Sequence, residues 1–207
     1  MSVLGELQPN KVFKYFEEIC SIPHGSRNLQ QISDYLVDFA KAHELKYRQD
    51  EDLNVIIWKD GSKGYEASEP VILQGHMDMV AVKEADCDKD MEKEGLDLEI
   101  NGDYISAKGT SLGGDDGIAV AYTLAVLDDE EMAHPPIEAI FTVNEEIGML
   151  GAATIDVSDL KGRLFMNMDS EDEGVFTVSC AGGASVICKI PYETETVNAS
   201  VIEIKMT

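Results

Sequence analysis

Three short runs constrain the fold most: Val71-Ile72-Leu73, Ile137 to Val143 and Leu164 to Met168 are mainly apolar and show no clean alternation of polar and apolar residues. A strand with one face in water alternates, whereas a continuous apolar run reads as a strand buried on both faces. Such strands need cover above and below, so the chain is expected to form an α/β layer structure around a mixed, mostly parallel sheet. Helices to supply that cover are visible. Val12, Phe13, Phe16, Ile19 and Cys20 recur at three- and four-residue spacing between Pro9 and Pro23, which predicts an amphipathic helix. Leu29, Ile32, Leu36, Phe39 and Ala40 line one face of a second helix that fades near Glu44, with Ser26 as its expected cap. A third, from about Ile118 to Leu127, is apolar on most sides and is expected to be buried. Lys46 to Gln49 and Asn54 to Trp58 read as a strand hairpin, residues 83 to 99 as an exposed charged excursion, and Asn101-Gly102 as the turn of a further hairpin.

Composition narrows the partners. With 207 residues and a hydrophobic fraction of 44%, the chain can bury one sizeable core. Its 16 basic and 40 acidic residues leave a formal charge of -24, which repels phosphate backbones and anionic lipid surfaces and argues against nucleic acid and membrane as partners. Met1 to Asn10 has neither the basic start nor the apolar stretch of a secretory signal, and no window approaches a membrane span. Cys20, Cys87, Cys180 and Cys188 stand far apart without a C-x-x-C pair, which disfavours a zinc ribbon or a disulfide framework and makes a reducing cytoplasm the expected location. Cys20 falls on the apolar helix face and reads as core.

Four polar clusters stand where apolar runs end or a helix begins: His76/Asp78, Asp115/Asp116, Asn144/Glu145/Glu146 and Asp169/Ser170. Ligands bind outside the carboxyl ends of strands in open α/β sheets, so the four are placed to converge in one cleft. Singly, an acidic residue at a strand end more often just faces water. In a strand, His76 and Asp78 share a face, about 6 to 7 Å apart at about 3.3 Å of rise per residue. An imidazole is a common metal ligand whose tautomer is set by a partner on its second nitrogen, and spacing alone does not say whether Asp78 is that partner. His24, His43 and His134 read instead as satisfied polar residues in a loop, near a helix end and before Pro135-Pro136. Asp115 and Asp116 lie among Gly113, Gly114 and Gly117, ahead of a helix whose amino end favours negative charge; an ordinary Asp cap on a glycine-rich turn has the same appearance. Two adjacent carboxylates, Glu145 and Glu146, repel unless their roles differ. One is suited to a metal and the other to accepting a proton from an activated water. Asp169 adds a further oxygen donor, and an oxygen-rich set with one His and no thiolate fits zinc, manganese or cobalt better than copper.

Taken in order, the motifs Cys20-Ser21-Ile22-Pro23-His24, Leu73-Gln74-Gly75-His76-Met77-Asp78-Met79-Val80, Gly109-Thr110-Ser111-Leu112-Gly113-Gly114-Asp115-Asp116-Gly117-Ile118, Glu145-Glu146-Ile147-Gly148-Met149 and Met168-Asp169-Ser170-Glu171 followed by Cys180-Ala181-Gly182-Gly183 resemble the M20-type metallopeptidases. Within these they are most similar to the aminoacyl-histidine (Xaa-His, carnosine-splitting) dipeptidases. The resemblance covers nearly the whole chain. It implies a three-layer zinc-peptidase-like catalytic domain with two divalent metal ions, zinc or else cobalt or manganese. His76, Asp115 and Asp169 would surround one ion, and Asp115 would bridge to a second held by Glu146. Asp78 would support the His76 side, and Glu145 would be the general base. Asp116 stands where the family often has Asn and is left out of the ligand set.

Implied with this are a small peptide substrate, a homodimer in the full-length protein, a catalytic stretch over residues 1–184, and the first strands of an α+β lid domain over 185–207. The runs Ser185 to Pro191 and Ala199 to Lys205 are the expected lid strands, and an ending at Thr207 without cap, turn or polar tail predicts a fragment. Family members draw another His for the second ion from a carboxy-terminal segment. The expectation is therefore an incomplete second site and little peptidase activity in this stretch alone. A tripeptidase or amino-acid deacylase remains an alternative, as does a non-catalytic metal-binding protein, against which the unliganded Glu145 argues.

Overall fold

The computed structural model describes residues 2–170, 174–179, 182–183, 186–196 and 202–203, and the chain divides into two compact units, Met1–Glu171 and Asp172–Thr207. The first unit carries all the described regular structure.

Its helix α1 (Asn10–Cys20) starts after Pro9, whose missing N–H costs nothing at a helix start, and buries Val12, Tyr15, Phe16, Ile19 and Cys20. Helix α2 (Gln30–Ala42) buries Ile32, Leu36, Val37, Phe39 and Ala40. It begins later than the sequence suggests: Leu29 occupies the cap position, no side chain caps it, and Ser26 lies outside the helix altogether. Strands β1 (Lys46–Gln49) and β2 (Val55–Lys59) pair antiparallel as the expected hairpin, closed by Asp50, whose carboxylate accepts the main-chain and side-chain N–H groups of Asn54.

Strand β3 (Val71–His76) and strand β6 (Ile137–Thr142) run parallel in register from Val71↔Ile137 to His76↔Thr142, and β7 (Leu164–Asn167) pairs parallel with β3 on its other side. The sheet order is β1-β2-β6-β3-β7, with only β2 reversed against β1 and β6, so it is mixed and mostly parallel. Strands β4 (Leu98–Asn101) and β5 (Tyr104–Ala107) make a separate hairpin turning at Gly102, whose φ of 64° suits glycine.

Every residue of β6 is buried, as its apolar run predicts. One face of the sheet, through Val55, Ile57, Ala139 and Phe141, packs on α1, α2 and the apolar helix α3 (Gly114–Leu127). The other, through Ile56, Ile72 and Ile140, is covered by Ile155 and Leu160, which follow the short helix α4 (Leu150–Thr154). Strand β7 departs from expectation. It is an edge strand, with Leu164 58% and Phe165 55% exposed, because among the described residues only β3 flanks it. In the second unit no strand forms among described residues 186–191, and most of the run from Ala199 to Lys205 lies outside the described residues.

Candidate metal centre

All three parallel strands deliver polar side chains from their carboxyl ends: His76 ends β3, Asn144 to Glu146 follow β6, and Asp169 follows β7. Helix α3 closes the fourth side. Its first residues, Asp115 and Asp116, are not helical, and the regular turns begin only at Gly117, so both carboxylates stand off the helix beside His76. Close approach of α3 to β3 depends on Gly75, where a Cβ would lie 2.8 Å from Asp116 Oδ2 and 3.1 Å from Ala119 Cβ.

The imidazole of His76 is 1% exposed, and its Nε2 lies 3.0 Å from Asp115 Oδ1, 3.8 Å from Asp169 Oδ2 and 3.9 Å from Glu145 Oε2. Ligand atoms fall into two overlapping groups, His76 with Asp115 and Glu146, and His76 with Asp116 and Asp169, each within 4.8 Å. The structure thus brings together all of His76, Asp115, Glu145, Glu146 and Asp169, and adds Asp116. That residue is buried, and its Oδ2 accepts the His76 main-chain N–H at 3.0 Å.

Asp78 is organised differently from a strand neighbour of His76, because β3 ends at His76. Its main-chain carbonyl, 2.9 Å from Nδ1, is the partner that orients the imidazole and leaves Nε2 for a ligand. Its buried carboxylate accepts the main-chain N–H groups of Glu145 at 2.9 Å and Glu146 at 3.4 Å, and the Ser26 hydroxyl at 2.8 Å. The Glu145-Glu146 loop is also tied at its base. Asn54 Oδ1 accepts the Val143 N–H, the Gly151 N–H donates to the Val143 carbonyl, and a Cβ at Gly151 would lie 2.6 Å from that carbonyl oxygen. Asn54 and Ser26 carry no chemical signature and were not legible as site residues; only contact between distant segments reveals them.

Electrostatics fit a divalent cation. Burial opposes charge on His76, yet the carboxylates of Asp78, Asp116 and Asp169 raise it to about 10. Burial pushes Asp116 up to about 7 despite the His76 N–H. Burial, followed by mutual repulsion, also raises Glu145, Glu146 and Asp169. Of these groups Asp78 is held low: burial works against its charge, but the His76 imidazole 3.6 Å away and the hydrogen bonds from Glu145 and Ser26 prevail. One imidazole among crowded carboxylates, with no thiolate, is a donor set for a hard or borderline cation. His24 is buried as a loop residue with Nδ1 2.6 Å from the Ile22 carbonyl oxygen, but its Nε2 has no partner among the described residues, unlike the satisfied residue expected.

Fold and cluster together define an α/β domain that gathers carboxylate and imidazole groups, suited to holding a metal ion, at the carboxyl ends of three parallel strands. No family model matches the chain. All 207 residues align at 38% identity with the cytosol non-specific dipeptidase of Escherichia coli strain K12, of which they cover 43%. The crystal structure of aminoacylhistidine dipeptidase from Vibrio alginolyticus matches with a TM-score of 0.80 at 40% identity, over 83% of this chain and 35% of that one. A tripeptidase from Staphylococcus aureus shares the fold, with a TM-score of 0.66 at 23% identity over 81% of this chain and 45% of that one. The chain is similar to these dipeptidases over most or all of its own length and spans less than half of theirs.

Proposed function

We propose that the whole protein hydrolyses unblocked dipeptides, with His preferred at the carboxyl end, and that this chain supplies four ligands of a two-metal site and its general base. The convergence of His76, Asp115, Glu146 and Asp169 beside Glu145, whose main-chain N–H is held by Asp78, carries this reading. Ions bound there, zinc in the first instance, would polarise the scissile carbonyl and lower the pKa of bound water toward about 7. Asp115 would serve both ions; its Oδ1 lies 3.0 Å from His76 Nε2 and it groups with His76 and Glu146, whereas Asp169 groups with His76 and Asp116. Glu145 accepts the proton of the attacking water and passes it to the leaving amine. Asp78 keeps the imidazole oriented and the base in reach.

The names of the relatives support a peptide substrate, and a preference for Xaa-His over tripeptides or acylated amino acids is the finer part of the proposal. A catalytic stretch over 1–184, a lid beginning at 185, a cytoplasmic location and homodimerisation of the full-length protein complete it. Consistent with the location, no helix among the described residues is long and apolar enough to cross a membrane.

Calorimetric titration with zinc tests the site directly. Wild type is expected to bind, His76→Ala to lose affinity first, and Glu145→Gln to bind nearly as wild type while the full-length protein carrying it no longer hydrolyses an Xaa-His dipeptide. Equal loss of metal in Glu145→Gln would remove it as the base.

A further inference from the structure

We propose that Ser26 is a positioning residue for this centre: by holding the Asp78 carboxylate, its hydroxyl fixes the Glu145-Glu146 main chain against His76. The inference rests on the metal reading above. Asp78 touches both halves of the centre, with its carbonyl 2.9 Å from His76 Nδ1 and its carboxylate oxygens receiving the N–H groups of Glu145 and Glu146. Those two donors come from one loop and would follow it if it moved. Ser26 is the donor from a different segment of the chain.

That segment is well anchored. The Met79 N–H donates to the His24 carbonyl at 3.2 Å, the Ser26 N–H donates to the Met79 carbonyl at 3.2 Å, and the Arg27 N–H donates to Asn144 Oδ1 at 2.8 Å. Residues 24–27 therefore tie together the exits of β3 and β6. From that brace the Ser26 hydroxyl reaches Asp78 Oδ2 at 2.8 Å, which pins the rotation of a carboxylate otherwise broad about its last torsion. Helix α2 makes no use of this hydroxyl, since it starts at Gln30 with no side-chain cap. Groups that orient metal ligands through one intervening residue typically set metal affinity by about 10 to 100-fold.

The test is zinc calorimetry and cobalt absorption on the 207-residue chain, with thermal melting of each metal-free variant. Ser26→Ala is expected to weaken zinc binding about tenfold, the low end of that range because two main-chain donors remain, and to alter the cobalt spectrum. Ser26→Thr, which keeps an Oγ, is expected to recover most of the affinity. Tyr35→Phe is the control: it removes a part-buried hydroxyl that donates to Glu18 Oε2, a bond that involves no residue of the centre or of its supports, and should lower the melting temperature without changing affinity. If Ser26→Ala does not fold, Ser26→Gly, which also lacks the hydroxyl, carries the same expectation. Unchanged affinity in the Ala or Gly variant, no recovery in Thr, or an equal loss in Tyr35→Phe would overturn the role of Ser26. Absence of metal binding in wild type would overturn the metal reading itself, and this inference with it.

Discussion

A carboxylate cut off from water is tolerated only where donors replace its hydration, and Asp78 has two main-chain N–H groups and a hydroxyl. Against the effect of burial, the nearby His76 imidazole and these donors hold its carboxyl below the usual carboxylate range. A folded-state pKa below the unfolded one means that the stability it contributes is present above the unfolded value of 3.8 and is lost as pH falls through the folded one. Asp78→Asn is therefore expected to lower stability at neutral pH by about 1.5 to 3 kcal/mol and to flatten the acid limb of a stability against pH curve measured by urea unfolding. Asp115 and Asp116 show the opposite division of labour. They are neighbours in sequence, but Asp115 is largely exposed and faces Nε2 while Asp116 is buried beneath the His76 main chain. Proximity in sequence identified the pair, but only the packing of α3 on β3 separated their environments.

At the scale of elements, β6 is the spine: it pairs with β2 on one side and β3 on the other, and its carboxyl end launches Glu145 and Glu146. Phe141 on that strand is fully buried between the sheet and the helices. Phe141→Ala is expected to destabilise the unit by about 3 to 5 kcal/mol in urea unfolding, through lost burial and the cavity left behind. Periodicity located α1, the β1–β2 hairpin, α3 and β6 because each element's own apolar pattern matches the face it buries. It misjudged the start of α2 and the setting of β7. Ser is a favoured cap residue, yet here its hydroxyl is taken by Asp78, a competition between segments that no local pattern records. Likewise the apolar run of β7 says that the strand is suited to burial, not what lies beside it.

For the whole molecule, crowding carboxylates around one imidazole works against folding until a cation joins them. Zinc is expected to stabilise the protein by about 2.7 kcal/mol at a free concentration one hundred times its dissociation constant, and a chelator to reverse the gain. Melting with and without zinc checks this; His76→Ala should abolish the shift. With a formal charge of -24 the molecule also favours approach of cations in general, which aids delivery but gives no selectivity.

The sequence by itself determined the layer class, the central strands and the residue types of the centre, because apolar periodicity and carboxylate clustering are local properties of the chain. Tertiary structure decided what surrounds each of them. It turned the Asp78 carbonyl to His76 and its carboxylate to the Glu145 loop, admitted Asp116 to the cluster, recruited Asn54 and Ser26 as supports, and left β7 at an edge. These depend on distances between segments far apart in the chain, and such distances are set by the packing of helices on the sheet rather than by the spacing of residues along it.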